Sequence, residues 1–200
     1  MKDDQNKYLC PYCAGTFDSY ENLKSHALQA HQGEPDPLPE GLIRMKVNGE
    51  DYQILVRPEW TLNYLIHDVI GLTSPKMFCD RGACGSCTVI MDGRPILSCM
   101  VLAIECDGKS IVTAEGIAAA KHPLIEAYVE NHCMQCGYCT PGFLTTAKAL
   151  LDRNPNPSLE EIQEALGGNL CRCGTYPQHP KAILQVSKKL QAEERGVENG

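Results

Sequence analysis

The chain predicts an α+β protein in three parts: a small Cys/His-rich unit, a strand-rich domain and a helical domain. Three observations carry that expectation. From residue 42 apolar and polar residues alternate at period two. After Gly116 the apolar residues recur at helical spacing. Ten of the twelve cysteines fall into three tightly spaced sets.

Residues 1–32 hold Cys10, Cys13, His26 and His31, spaced C-x2-C-x12-H-x4-H, with Phe17 and Leu23 as apolar positions. This matches a C2H2 zinc finger of the ββα kind. So small a unit cannot bury enough core unaided, so a tetrahedral zinc would supply its folding energy. Residues 33–41, GEPDPLPEG, have linker composition: three prolines, two glycines and three acids.

In residues 42–116, Ile43, Met45 and Val47 alternate with Arg44 and Lys46, as in a half-buried strand. Asn48-Gly49 signals a hairpin turn, and Tyr52, Ile54 and Val56 resume the alternation. Leu62, Leu65, Ile66 and Val69 predict a helix that Gly71 stops. A cysteine-rich loop follows, then a strand over 88–91, an Asp92-Gly93 turn, an apolar stretch over 96–104, a turn at 107–108 and a short strand over 111–114. This order resembles a β-grasp ferredoxin domain.

Residues 117–190 read as a four-helix-bundle-like unit. His122-Pro123 opens a helix through Val129. Pro141 suits a first helical turn, where its missing N–H costs nothing, and that helix runs to about Asp152. Ser158 and Glu161 form a capping box for the next helix, which ends at Gly167-Gly168. A last helix spans about 180–190, and the charged tail 191–200 is expected to be solvated and frayed.

Eight cysteines make two quartets. Cys79, Cys84, Cys87 and Cys99 read C-x4-C-x2-C-x11-C, which is the plant-type [2Fe–2S] spacing. Gly82 and Gly85 let the loop wrap closely and aim backbone N–H groups at sulfur. Cys136, Cys139, Cys171 and Cys173 read C-x2-C-x31-C-x-C, two pairs that helix ends could bring together. A helix N-terminus near Pro141 favours a negatively charged cluster. The competing reading of each quartet is a four-thiolate zinc site, which suits the C-x4-C-x2-C loop poorly. Read alone, the second quartet leaves zinc open; beside the first, iron–sulfur is favoured.

Composition narrows the function classes. The net charge of −7 argues against nucleic acid or an anionic membrane as the main partner. No apolar run approaches the ~20 residues of a membrane span. The start, MKDDQNKYLCPYC, has no apolar signal region and no twin arginine, so a chain without an export signal and a cytoplasmic location are expected. In a reducing compartment twelve cysteines favour metal ligation over disulfides.

The strings CDRGACGSCTV, SC, QCGYCTPG and GNLCRCGTY together resemble the small iron–sulfur subunit of the molybdenum hydroxylases, over residues ~42–190. That resemblance implies an electron-transfer subunit of an oxidoreductase, with no substrate chemistry on this chain. It implies a distal [2Fe–2S] cluster on Cys79, Cys84, Cys87 and Cys99 and a proximal one on Cys136, Cys139, Cys171 and Cys173. Gln135 matches a glutamine that contacts molybdopterin in a large subunit, and Cys173 the ligand nearest the pterin. The implied path is molybdenum, proximal cluster, distal cluster, then FAD or another acceptor. The order CRCGTY in place of CRCTGY leans towards the isoquinoline-oxidoreductase branch. The finger is no ordinary part of this family.

The finger's base-reading positions would be Ser19, Asn22 and Ser25, weak readers without arginine. Residues 1–33 carry three basic side chains against four acidic ones, so protein docking is favoured over nucleic acid. Cys106 and Cys133 are expected to be buried free thiols. His67, His122, His132 and His179 are expected at the surface or as caps, Trp60 as a packing residue, and Arg172 either as a plain loop cation or as a tuner of the proximal cluster. Two alternatives remain at this point: a zinc-bound interaction or regulatory protein, and a free-standing two-cluster ferredoxin.

Overall fold

The computed structural model describes residues 7–10, 12–13, 15–31 and 41–198. Residues 33–40 of the expected linker, the first six residues, and the last two of the tail lie outside the described residues.

One mixed sheet of seven strands organises the first half, in the order β2-β1-β4-β3-β7-β5-β6. Its centre is the hairpin β3 (Leu42–Val47) and β4 (Glu50–Leu55). Asn48 and Gly49 both take positive φ, 53° and 89°, as a tight right-twisting hairpin turn requires. The predicted alternation holds in β3: Ile43, Met45 and Val47 are buried while Arg44 and Lys46 are exposed. β5 (Thr88–Met91) and β6 (Arg94–Leu97) form a second hairpin. β7 (Ser110–Val112) joins the two hairpins, parallel to β3 and antiparallel to β5.

The predicted helix after Thr61 begins as α2 (Leu62–Tyr64) and continues as a π-helical segment, Leu65–Ile70. Gly71, at φ 86°, ends it as expected. Leu62, Leu65, Ile66 and Val69 pack with Trp60 against the sheet core. The apolar stretch over 96–104 is not one strand. After Leu97 the chain makes two 3-10 turns, Ser98–Met100 and Ala103–Cys106. The Ser98 hydroxyl accounts for the first break, because it turns inward to donate to the Cys87 carbonyl at 2.7 Å.

The sheet also crosses the expected boundary with the N-terminal unit. β1 (Lys7–Leu9) and β2 (Thr16–Phe17) form a hairpin, followed by α1 (Tyr20–Ala30). β1 pairs in parallel with β4, Tyr8 beside Gln53 and Leu9 beside Ile54. The small core of this unit holds Cys10, Leu23 and Leu55, and Leu55 belongs to β4. The finger-like unit is thus an extension of the sheet edge, and its backbone covers an otherwise open strand.

The helical half comprises α3 (Ala114–Ala119), α4 (Leu124–Glu130), α5 (Thr140–Arg153), α6 (Leu159–Leu166) and α7 (Gln178–Glu198). Pro141 sits in the first turn of α5, and the Ser158–Glu161 capping box opens α6. Its core includes Leu124, Tyr128, Phe143, Leu150, Ile162 and Ile183. The expected frayed tail is corrected: α7 continues to Glu198, because the 190s keep helix-forming residues and no glycine before Gly196 interrupts them. Among the described residues no helix is long and apolar enough to cross a membrane.

The two halves meet backbone to backbone. Leu170 N–H donates to the Cys84 carbonyl at 2.9 Å, and the Asn169 amide donates to the Gly85 carbonyl at 3.0 Å. Asn169 is held in turn by the Thr146 hydroxyl at 3.0 Å. Thr145, also on α5, donates to the carbonyl of Thr88 in β5 at 3.0 Å. Gly85 has φ 72°, and a Cβ there would lie 2.5 Å from the Gly168 carbonyl oxygen and 2.6 Å from the Asn169 amide nitrogen.

Gly85→Ala combines overpacking with a left-handed φ and is expected to cost about 3 kcal/mol, lowering the calorimetric midpoint by ~6–12 °C. Gly108→Ala is the control: φ is 73° but nothing lies within 4 Å of the added methyl, so only ~1–2 kcal/mol is expected.

Candidate metal centres

The three cysteine sets occupy three places: the finger, the loop before β5 with the 3-10 turn after β6, and the loops that precede α5 and α7.

In the first quartet, Cys87 and Cys99 sulfurs are 3.4 Å apart, and the Cys79 and Cys84 thiols are in hydrogen-bonding contact. The first quartet thus forms two sulfur pairs, Cys79 with Cys84 and Cys87 with Cys99. Asn63 in α2, buried, donates to the Ser98 hydroxyl at 3.1 Å, and Ser98 donates onward to the Cys87 carbonyl, which fixes the second pair. Amide donors reach the first pair: Ala83 N–H lies 3.2 Å from the Cys79 sulfur. The Arg81 N–H, joined by that of Ala83, holds the Cys79 thiol down at about 7. Burial does the opposite to Cys87, pushing it up to about 12.

In the second quartet, Cys139 is the N-cap residue of α5 and touches Cys171. Burial pushes the Cys139 thiol up to about 12. Burial acts on Cys171 too, but hydrogen bonds from the Thr175 hydroxyl and N–H, with smaller help from Cys139 and the Cys173 N–H, outweigh it and hold that thiol at about 7. Cys136 and Cys173 are exposed, on the outer side of the set. Gln135 is also exposed, and its amide donates to the Cys173 carbonyl at 3.2 Å.

A cavity of about 600 Å³ lies beside the second quartet, lined by Cys136, Cys139, Cys171, Tyr138 and Arg172 among others, and reaches Cys84 of the first. Tyr138 helps to close it, donating to the Met77 carbonyl at 3.2 Å and meeting the Phe78 ring edge-on. The donor set here fits a cluster rather than an enzyme's acid–base site. It is all sulfur, arranged in pairs, with N–H and O–H donors aimed at the sulfurs.

The finger's four residues converge most tightly. The ligand atoms of Cys10, Cys13, His26 and His31 lie within 4.8 Å of one another. Cys10 Sγ is 3.6 Å from His31 Nε2, and Cys13 Sγ is 3.3 Å from His26 Nε2. Ligands at ordinary zinc distances around a tetrahedron stand ~3.5 Å apart.

The remaining expectations divide. Cys106 and Cys133 are fully buried and Trp60 packs in the core, as expected. His122 caps, its Nδ1 accepting from Leu124 N–H at 3.2 Å. His132 is exposed, and His67, half-buried, pairs with Asp68. The expectation for His179 is corrected: it is 0 % exposed, stacked on Phe143 with ring centroids 4.0 Å apart and planes at 2°. Burial drives its pKa down to about 4. Sequence reasoning missed both its place and Thr175; the i, i+4 spacing of Cys171, Thr175 and His179 was the available signal.

Comparison with known proteins adds the family. Residues 113–184 match the [2Fe-2S] binding domain. The nicotinate dehydrogenase small FeS subunit of Eubacterium barkeri is 47 % identical over 136 residues, 67 % of this chain and 87 % of that protein. The nicotine 6-hydroxylase small subunit of Paenarthrobacter nicotinovorans is 43 % identical over 157 residues, 78 % of this chain and 95 % of its own length. Among solved structures, quinoline 2-oxidoreductase from Pseudomonas putida 86 superposes with a TM-score of 0.70 at 39 % identity, covering 73 % of this chain and 91 % of that one. Sulfur pairing, sheet-and-helix architecture and these likenesses agree that the chain belongs to the small iron–sulfur subunits of the molybdenum hydroxylases, the electron-transfer subunits of those oxidoreductases.

Proposed function

We propose that this chain holds two [2Fe–2S] clusters, one on Cys79, Cys84, Cys87 and Cys99 and one on Cys136, Cys139, Cys171 and Cys173, inside an enzyme whose large subunit carries molybdopterin. When bound, the clusters supply one-electron storage between the molybdopterin and FAD or another acceptor. The observation that carries this reading is the hydrogen bond from Leu170 N–H to the Cys84 carbonyl, 2.9 Å long. It joins the residue next to Cys171 directly to a ligand of the other quartet, so one hydrogen bond and a few covalent bonds separate the two sulfur sets.

The chain's residues divide the work. Cys79 and Cys84 take one iron and Cys87 and Cys99 the other, in line with their pairing. Cys139 and Cys171 hold the inner side of the second cluster, and Cys136 and Cys173 its outer side. That outer side, with Gln135 beside it, is the surface read here as facing the pterin. We read residues 42–116 as a β-grasp ferredoxin domain and residues 117–190 as a helical [2Fe–2S] domain.

We also read the N-terminal unit as a zinc site on Cys10, Cys13, His26 and His31. The compact sulfur–nitrogen set supports a single ion, since a two-iron core would split its ligands into separated pairs. With so few buried residues, this unit depends on that ion for its fold. Its slightly acidic surface suits a protein partner, and a cytoplasmic location suits the reduced thiols.

Anaerobically isolated protein is expected to contain iron, inorganic sulfide and two distinguishable EPR signals after dithionite. Cys136→Ser is expected to remove one signal, keep the other, and cut turnover with the native acceptor at least ~100-fold; turnover that survives sinks the relay order. Cys10→Ser is expected to lose zinc by elemental analysis and to deprotect the β4 amides in hydrogen exchange, with both EPR signals retained. A zinc-replete protein without iron would refute the cluster reading.

A further inference from the structure

We propose that Thr175, locked in place by His179, is the hydrogen-bond donor that sets the potential of the cluster held by Cys171. The inference rests on reading Cys171 as a cluster ligand. Thr175 Oγ1 lies 3.0 Å from Cys171 Sγ, and the Thr175 N–H lies 3.4 Å from the same sulfur. Both groups are removed from solvent: Thr175 is 2 % exposed and His179 0 %. On its other side, Thr175 Oγ1 is 3.0 Å from His179 Nε2.

Counting hydrogens fixes the direction of this chain. An iron-bound thiolate has no proton and can only accept. The threonine hydroxyl has one hydrogen, so it donates to sulfur. Its oxygen must then accept from the imidazole, which places the proton on Nε2. His179 Nδ1 has no partner among the described residues, and a bare lone pair there is cheaper than an orphaned N–H. This tautomer pairs the Nε2–H with Thr175 and leaves only a lone pair without a partner. Stacking on Phe143 stops the ring from turning. The Thr175 hydroxyl cannot swing to another acceptor without leaving the imidazole N–H unpaired.

The local backbone explains how the hydroxyl gets there. Gly174 takes φ 86° and turns the chain back after Cys173, and the Thr175 carbonyl accepts from Gln178 N–H at the start of α7. The Gly-Thr order thus puts the residue without a side chain at the left-handed position and the hydroxyl inside. Reduction adds negative charge to the cluster and its sulfurs. A donor fixed on one of those sulfurs, in a dry low-dielectric site, stabilises the reduced form more than the oxidised one. Thr175 therefore raises the potential of the proximal centre and makes it a better acceptor from the pterin side. It is a positioning residue that never touches substrate.

The test is an EPR-monitored redox titration of the full-length chain isolated in its native complex. In Thr175→Val the proximal signal is expected to persist but to require a more negative potential. The expected fall in the reduction equilibrium constant is about tenfold, ~59 mV for one electron. The distal signal should not move, which a general structural disturbance would not respect. Thr175→Ser is expected to restore the wild-type value. His179→Phe keeps a ring against Phe143 but removes the N–H, and should shift the proximal potential in the same direction by less. It decides the matter if Thr175→Val fails to assemble. Unmoved proximal potentials with both signals intact overturn the inference. If the proximal signal survives in Cys171→Ser, the ligand assignment itself fails, and the inference falls with it.

Discussion

The close approach of two backbones at Gly85 and Gly168–Leu170 is the constraint on which the rest of the structure depends. One strand-rich half and one helical half could each fold around its own core, and each has one. Where they touch, glycine backbone meets backbone, and the one side chain at the contact is Asn169, whose amide donates to the Gly85 carbonyl. Glycine at 85 is needed because any Cβ would meet the Gly168 carbonyl, and glycine at 142 because a Cβ there would meet the carbonyl of Gly85. Two amide hydrogen bonds, from the Leu170 backbone and the buried Asn169 side chain, then hold carbonyls of the other loop. Buried polar groups must be paired, so these bonds fix register as well as distance.

Around that contact the two sulfur sets are treated differently. The first is gripped by backbone N–H groups on the Cys79 side and by the Asn63–Ser98 network on the Cys87 side. The second grades from buried to exposed, Cys171 inside and Cys136 and Cys173 at the surface. The cavity beside this set is lined by Cys136, Cys139 and Cys171 and reaches Cys84 of the first set. Burial also explains why the thiols of Cys87 and Cys139 resist ionisation.

Much of this was legible because local chemistry dictated it. Asn48-Gly49, Gly71, Pro141 and the Ser158–Glu161 box each do in the structure what their conformational preferences require. The cysteine spacings were legible for the same reason, since a loop that wraps a cluster admits few ligand separations. What stayed hidden was long-range. Nothing in residues 96–104 announces that Ser98 turns inward to a carbonyl eleven residues earlier and ends the strand. Nothing in the polar neighbourhood of His179 marks it as fully buried, because its partners Phe143 and Tyr128 lie far away in sequence. The pairing of β1 with β4 is likewise invisible, for three residues of strand carry no register signal of their own.

That last pairing changes how the N-terminal unit is understood. An isolated finger owns its core; this one shares it, since Leu55 of β4 sits with Cys10 and Leu23. Arg57, just beyond β4, places its guanidinium 5.8 Å over the Tyr12 ring, so side chains as well as backbone join the two parts. The unit lies at the edge of the sheet opposite β5 and β6, against which α5 packs, so four strand spacings of ~4.8 Å separate β1 from β5. Among the described residues, none of this unit lines the cavity beside the second quartet. Its physical effect is on β4: the open edge of the sheet is hydrogen-bonded from within the same chain, by a unit whose Cys10, Cys13, His26 and His31 ligand atoms gather within 4.8 Å of one another.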